Sequence, residues 1–314
     1  MSRSVTIIAY HYIRQIKKSR YPDIKGLAVE KFKGQLDYFK KNFNLITPND
    51  FLNALSNVDY QLPPAAMLLT FDDGYIDHFE NAYPELSRRE ISGFFFPAAK
   101  AIVEEKVLDV NKIHFILASI QDKSFIIKKI FEMISEYKET YHLEDPEYYW
   151  QKHAKRWRFD SKEVIFIKRI LQKELPECVR KRIADKLFRK YVTCDEKAFS
   201  RELYMDIPQL KVLHANGMSI ASHGYSHCWL DKLNRDSQEA EIDLSKEFLN
   251  EFGSAHNHFI ICYPYGAYND SLLSILRGKK CVAGFSTHIG VANLNENTHL
   301  ALPRMRPNDF PTEV

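Results

Sequence analysis

Seven short apolar runs, at residues 5–9, 66–71, 93–96, 218–221, 259–263, 282–286 and 300–303, are separated by longer stretches whose apolar residues fall at helical spacing. Runs that are apolar at consecutive positions read as strands covered on both faces, and strands alternating with amphipathic helices pair in parallel. The stretch from Val29 to Phe39 carries Phe32, Leu36 and Phe39, and that from Glu239 to Phe252 carries Ile242, Leu244 and Phe248. The expectation is an α/β fold on a parallel sheet. At 314 residues and 45% hydrophobic content the chain can bury a full core of that kind.

The second run ends in Thr70-Phe71-Asp72-Asp73-Gly74. Adjacent side chains on a strand point to opposite faces, but at a strand's end a glycine lets the backbone turn, and both carboxylates can then reach one cleft. Two like charges so close repel, and a cation removes the conflict by taking one carboxylate as ligand and leaving the other as a base. The run at 218–221 delivers the remaining ligand types in Ser222-His223-Gly224-Tyr225-Ser226-His227. Histidines four apart share one face of a helical turn, and two imidazoles with one carboxylate make the ligand set of an open zinc site. Such a pair is also a common surface or capping feature. Here both sets follow strand-like runs, where α/β folds hold their sites.

Together the two motifs resemble the first two of the polysaccharide deacetylases, carbohydrate esterase family 4 or the NodB homology domain, and Cys262-Tyr263-Pro264-Tyr265-Gly266 resembles the third. The resemblance implies a distorted (β/α)7-type barrel. It implies a divalent cation on Asp73, His223 and His227, Zn2+ first, with Co2+, Ni2+ or Mn2+ as alternatives. It also implies Asp72 as general base, and Tyr263, Pro264 and Tyr265 as groove wall, with an oxyanion donor near Tyr265. The activity implied is hydrolysis of the N-acetyl group of an amino sugar, in a glycan or glycan precursor of cell-surface polysaccharide biosynthesis. Removal of an O-acetyl or N-formyl group, or a carbohydrate-binding pseudoenzyme on the same barrel, are the alternatives.

The chain departs from the family pattern in three places. The third motif usually carries an arginine that orients the base, whereas Cys262 and Tyr263 stand before Pro264. Arg304, in Leu302-Pro303-Arg304, is the candidate replacement, because a guanidinium holds a carboxylate through two hydrogen bonds and lowers its pKa; a surface salt bridge is the other reading. The usual C-terminal histidine motif is missing, while Val5-Thr6-Ile7-Ile8-Ala9-Tyr10-His11-Tyr12 resembles the branch of poly-N-acetylglucosamine deacetylases in which an N-terminal Tyr-His supplies the general acid. His11 is therefore the expected acid, with His288 and His299 as fallbacks. Third, Asp73 and His223 are 150 positions apart, so a segment is inserted. Residues 102–204 read as helices over Phe125 to Ile134, Val164 to Leu171 and Ile183 to Phe188, and are expected to cap the ligand-binding mouth of a barrel made by residues 1–101 and 205–314.

The inserted segment is also the basic part of the chain. Residues 151–190 hold 14 Lys and Arg against 5 Asp and Glu, while the rest holds 30 against 36. Lys155-Arg156-Trp157-Arg158 and Arg180-Lys181-Arg182 suit phosphate groups of a nucleotide- or lipid-linked sugar, or an anionic membrane surface, as well as a solvated helix face. The expected partner is an acylated amino sugar, with peripheral membrane contact and no nucleic acid. No run approaches the ~18 apolar residues of a membrane span. No signal-peptide pattern precedes the first strand, so the expected location is cytoplasmic, at the inner face of the membrane. Cys178, Cys194, Cys228, Cys262 and Cys281 form no C-x-x-C and are expected as reduced thiols.

Overall fold

The computed structural model describes residues 3–157, 160–253, 258–295 and 299–312. It divides into two compact units. One comprises 1–15, 26–106 and 200–314, and the other 16–25 and 107–199.

The first unit is built around a ring of parallel strands, with short strands beside it that include one antiparallel pairing. β1 (Ser4–Tyr10), β2 (Ile13–Arg14), β3 (Leu27–Ala28), β4 (Asn44–Leu45), β5 (Ala66–Asp73), β6 (Gly93–Pro97), β7 (Ser219–Ile220), β8 (Phe259–Cys262), β9 (Cys281–Phe285) and β10 (Ala292–Asn293) follow one another in the chain. β1 pairs with β5, β5 with β6, β6 with β7 and β8 with β9, all in parallel. Cβ at Gly93 would lie 2.6 Å from the Leu69 carbonyl oxygen, so the β5–β6 approach requires glycine.

Two seams outside the named strands complete the ring. Ser222 N donates to Ile260 O at 3.0 Å and Cys262 N to Ser222 O at 2.8 Å, which joins the end of β7 to β8. Leu302 N donates to Gly284 O at 2.8 Å, and Met305 N to Ile7 O at 2.7 Å, so residues 302–305 lie between β9 and β1 as the seventh staves of the barrel. The run expected at 300–303 is thus displaced: Leu300 belongs to a 3-10 turn, His299–Ala301, and the closing segment carries a buried arginine.

Side-chain parity sorts the core into two layers. Val5, Ile7, Leu68, Phe94, Phe96, Ile260, Cys262, Ala283, Phe285 and Leu302 pack together inside the ring, and Phe51 of the helix Pro48–Ser56 closes that cluster against Phe94 and Phe285. The alternate residues, among them Ile8, Tyr10, Leu69, Phe71, Phe95 and Ile261, face outward onto helices, including Val29–Asn42 through Phe32, Leu36 and Phe39. In the helix Arg235–Asn250, Ile242 and Phe248 are buried but Leu244 is not, because residues two apart on a helix face opposite ways.

The second unit is helical: Asp109–Ser119, Ser124–Tyr141, Pro146–His153, Lys162–Arg169 and Glu177–Tyr191. Its core stripe on Ser124–Tyr141 is Ile126, Ile130, Ile134 and Tyr137, while Phe125 is exposed. Its limits are narrower than the expected 102–204 and take in residues 16–25, whose Tyr21 packs edge-on to Phe115 and Phe199. Residues 102–106 and 200–204 go with the barrel, where Ser200 Oγ bonds the Ala101 carbonyl at 3.2 Å. Of the basic cluster at 155–158, Arg158 lies outside the described residues. Among the described residues no helix is long and apolar enough to cross a membrane.

Candidate metal centre

Along β5 the residues Ala66, Leu68, Thr70 and Asp72 share the inward parity, so Asp72 points into the ring without any special device. Asp73 has the opposite parity. It reaches the same end of the barrel because its own backbone and that of Gly74 are left-handed, at φ 71° and 74°. A left-handed non-glycine residue is costly, by about 1 kcal/mol or more, and persists where the surrounding structure requires it.

The turn brings Asp73 Oδ1 to 3.3 Å from His223 Nε2 and 3.2 Å from His227 Nε2. All three residues are buried. The imidazoles do not converge from a helical face as the four-residue spacing suggests: residues 222–229 are irregular backbone, and left-handed Gly224 (φ 71°) and His227 (φ 56°) fold the loop back on itself. Glu241 Oε2 fixes it by accepting from the backbone N–H groups of Tyr225 and Ser226 at 3.2 and 2.9 Å. His223 Nδ1 lies 2.7 Å from the Cys262 carbonyl, to which it can only donate, so Nε2 is the lone-pair nitrogen of the neutral ring.

A cation fits this donor set. Asp73 Oδ1 is buried with no hydrogen-bond partner, and it and the two imidazole nitrogens lie within 4.8 Å of one another. A carboxylate oxygen and two imidazole nitrogens are the donors of open, three-ligand sites for Zn2+ and similar ions. Burial pushes the Asp73 pKa up, and the neighbouring imidazoles outweigh it, holding the carboxyl well below its usual range.

Asp72 is held differently. Arg304 grips it with Nη1 to Oδ1 at 2.8 Å and Nη2 to Oδ2 at 2.7 Å. The same guanidinium bonds Thr70 Oγ1 at 3.0 Å and the Ser286 carbonyl at 3.2 Å. Arg304 is only 4% exposed, which removes the reading as a surface ion pair. Burial raises the Asp72 pKa, but the Arg304 charge and hydrogen bonds bring it down to about 2, so the carboxylate is ionised at neutral pH. His11 Nε2 stands 3.7 Å from Asp72 Oδ2, with its side chain 54% exposed. The two fallback acids sit elsewhere: His299 Nε2 is bonded to the Leu294 carbonyl, and His288 is exposed beside Tyr268.

The third motif splits in its placement. Tyr265 is half-buried on a left-handed turn (φ 59°), edge-on to His227 at 4.9 Å and stacked on Trp229 at 4.4 Å. Gly266 behind it has no room for Cβ, which would meet Thr287 Oγ1 at 2.1 Å. Pro264 is buried against Gly224. Tyr263 is corrected from groove wall to structural strut: it is 1% exposed, has the outward parity, and donates its hydroxyl to the Leu300 carbonyl at 2.7 Å.

Several neighbours of the site escaped the motif reading. Cys262 Sγ lies 3.0 Å from Arg304 Nη2 and 3.5 Å from Asp72 Oδ2, filling the inward position beneath the ion pair. His78 Nε2 lies 2.8 Å from the His11 carbonyl and anchors the backbone of the exposed histidine. Trp229 and Glu241 also lack a motif signal. Tyr75 follows the aspartates after a single glycine but has no carboxylate-like chemistry to draw attention.

A family model described as polysaccharide deacetylase matches residues 197–281, which include both histidines and the third motif. A putative polysaccharide deacetylase of Bacillus subtilis (strain 168), YxkH, is 31% identical over 111 residues, 35% of this chain; the match spans about two fifths of that relative, 39% of its length. The fold is also that of the deacetylase PplD of Streptococcus pyogenes, solved in complex with acetate (TM-score 0.60, 19% identity, 98% of this chain and 95% of that one). IcaB from Ammonifex degensii is similar (TM-score 0.57, 16% identity, 96% and 91%). The matched segment thus carries the histidine motif and the third motif and is similar to polysaccharide deacetylases, and over the whole chain the likeness to the solved deacetylases is one of fold.

Proposed function

We propose that the protein is a metal-dependent deacetylase that hydrolyses the N-acetyl group of an amino sugar in a glycan or glycan precursor. The observation that carries this reading is the meeting of two differently held carboxylates at one barrel end, Asp73 among imidazoles and Asp72 in the fork of a buried arginine. Asp73, His223 and His227 would hold the ion, with Zn2+ best matched by the donors. Bound there, a divalent cation supplies a Lewis acid that polarises an acyl carbonyl and makes water more acidic.

The residues of the chain supply the rest. Asp72, ionised and unable to rotate within the Arg304 fork, accepts the proton of the attacking water. His11, exposed at the mouth and anchored through its carbonyl by His78, delivers a proton to the departing amine. The Tyr265 amide, on the turn beside His227, is the proposed donor to the oxyanion. Stacked Trp229 and Tyr265 form an aromatic edge to the site.

Replacing His11 by alanine is expected to lower kcat by about 100-fold, the lower range for loss of a general acid, with bound metal unchanged by elemental analysis. An unchanged kcat would move the acid to another group. The substrate class is tested by acetate release from a panel of N-acetylated, O-acetylated and N-formylated sugars. Preferential release from N-acetylglucosamine-containing glycans is expected, and release from O-acetyl sugars alone would overturn the assignment.

The excess of base in residues 151–190 favours a phosphate-bearing or lipid-linked precursor at the inner face of the membrane. Faster release from phosphate-linked than from free acetylated sugars in the same panel is the corresponding result; equal rates would contradict it.

A further inference from the structure

We infer that Tyr75 is a positioning residue that makes Asp73 a one-oxygen ligand and thereby limits the number of donors the chain offers a cation. The inference rests on the reading of Asp73, His223 and His227 as a cation site. Tyr75 donates its phenolic hydroxyl to Asp73 Oδ2 at 2.6 Å, and Oδ1 is the carboxylate oxygen left facing the two imidazole nitrogens. A carboxylate with both oxygens free can bind an ion through either or both; one whose second oxygen already accepts a short hydrogen bond presents a single donor.

The arrangement is built to hold. Tyr75 is 1% exposed, and its ring stacks on Tyr12 at 4.1 Å on one side and on Tyr204 at 6.0 Å on another. Met205 N donates to the Gly74 carbonyl at 3.0 Å, clamping the backbone just before it. The Tyr12 hydroxyl is hydrogen-bonded to Tyr75.

Left-handed Asp73 explains why a second-sphere group is needed at this position. Parity alone would turn its side chain out of the barrel, and backbone strain alone leaves the carboxylate free to rotate. Tyr75 fixes that rotation.

The test uses the full chain with Tyr75→Phe, which keeps the ring stack and removes only the hydroxyl. Zn2+ affinity is measured by competition with a chromophoric chelator, and the visible spectrum of the Co2+ form reports coordination number. Tyr75→Phe is expected to bind Zn2+ about 10–100-fold more weakly, the usual cost of losing an outer-sphere partner. Its Co2+ bands should weaken as the freed Oδ2 adds a donor. Wild-type affinity together with an unchanged Co2+ spectrum in folded Tyr75→Phe would overturn the role of Tyr75 while leaving the cation site standing. A wild-type protein that binds neither ion would remove the site itself, and this inference with it. Should Tyr75→Phe fail to fold, Tyr12→Phe decides, since it keeps the ring stacked on Tyr75 and removes the hydroxyl beside it: a smaller change in the same direction supports the role, and no change in either readout overturns it.

Discussion

Asp72→Asn is expected to lower kcat by about 10²–10⁴-fold while the purified protein keeps its metal. The two aspartates are neighbours in sequence but belong to different groups in space. Asp73 meets His223 and His227, whereas both oxygens of Asp72 are taken by the Arg304 guanidinium. An amide at position 72 keeps an oxygen that can accept from Arg304 but cannot take a proton from water. The variant will also be less stable, because it leaves a buried guanidinium without its counter-charge. Melting and metal content must therefore be read beside kcat. Asp73→Asn supplies the contrast, losing metal and activity together. Loss of metal in Asp72→Asn, or a rate near that of the unaltered protein, would contradict the division of labour.

Arg304→Met should have the largest effect on stability. It strips the partner from a carboxylate that is 1% exposed, and breaking a buried, hydrogen-bonded ion pair costs about 3–5 kcal/mol. Burial alone then acts on Asp72, so its pKa rises instead of falling. The sign is fixed by the native state. With a folded pKa of about 2, below the ordinary carboxyl value, Asp72 contributes stability that is present above the unfolded pKa of roughly 4 and is lost as pH falls toward about 2. In Arg304→Met that contribution disappears, and the acid limb of the rate profile moves toward neutral pH. An acid limb that stays in place would exclude Arg304 as the residue that keeps the base ionised. The double variant Asp72→Asn, Arg304→Met should regain part of the stability lost by either single change, because it leaves no unpaired buried charge.

How much of this was legible in the sequence follows from which physics is local. The seven apolar runs are visible because each strand of a closed parallel barrel is covered on both faces. The last stave is the least visible, since it is held by a few hydrogen bonds at Leu302 and Met305 and carries an arginine. Arg304 could be proposed only because a buried base needs a counter-charge; its contact with Asp72 spans 232 positions, and nothing local points across that distance. The histidine pair is recognisable by type, yet its geometry is set by left-handed residues at 224 and 227 that spacing arguments treat as a helical turn. Tyr263 and Tyr265 look alike in a motif and differ because one continues the outward parity of β8 just past its end and the other lies on the turn beyond it. Tyr75 was hidden for the same reason that it matters, since Asp73 breaks the alternation from which side-chain direction is read. Residues 16–25 join the helical unit through Tyr21, Phe115 and Phe199, contacts that no local pattern announces.

Asp73, His223 and His227 are proposed to hold a cation on which acetate release depends. The direct measurement is elemental analysis of the purified protein, joined to acetate release from an N-acetylated glycan before chelation, after it, and after stepwise return of Zn2+ or Co2+. Release is expected to fall to background in the chelated protein and to be restored in full at one equivalent of metal. Full release by protein from which all metal has been removed would contradict it.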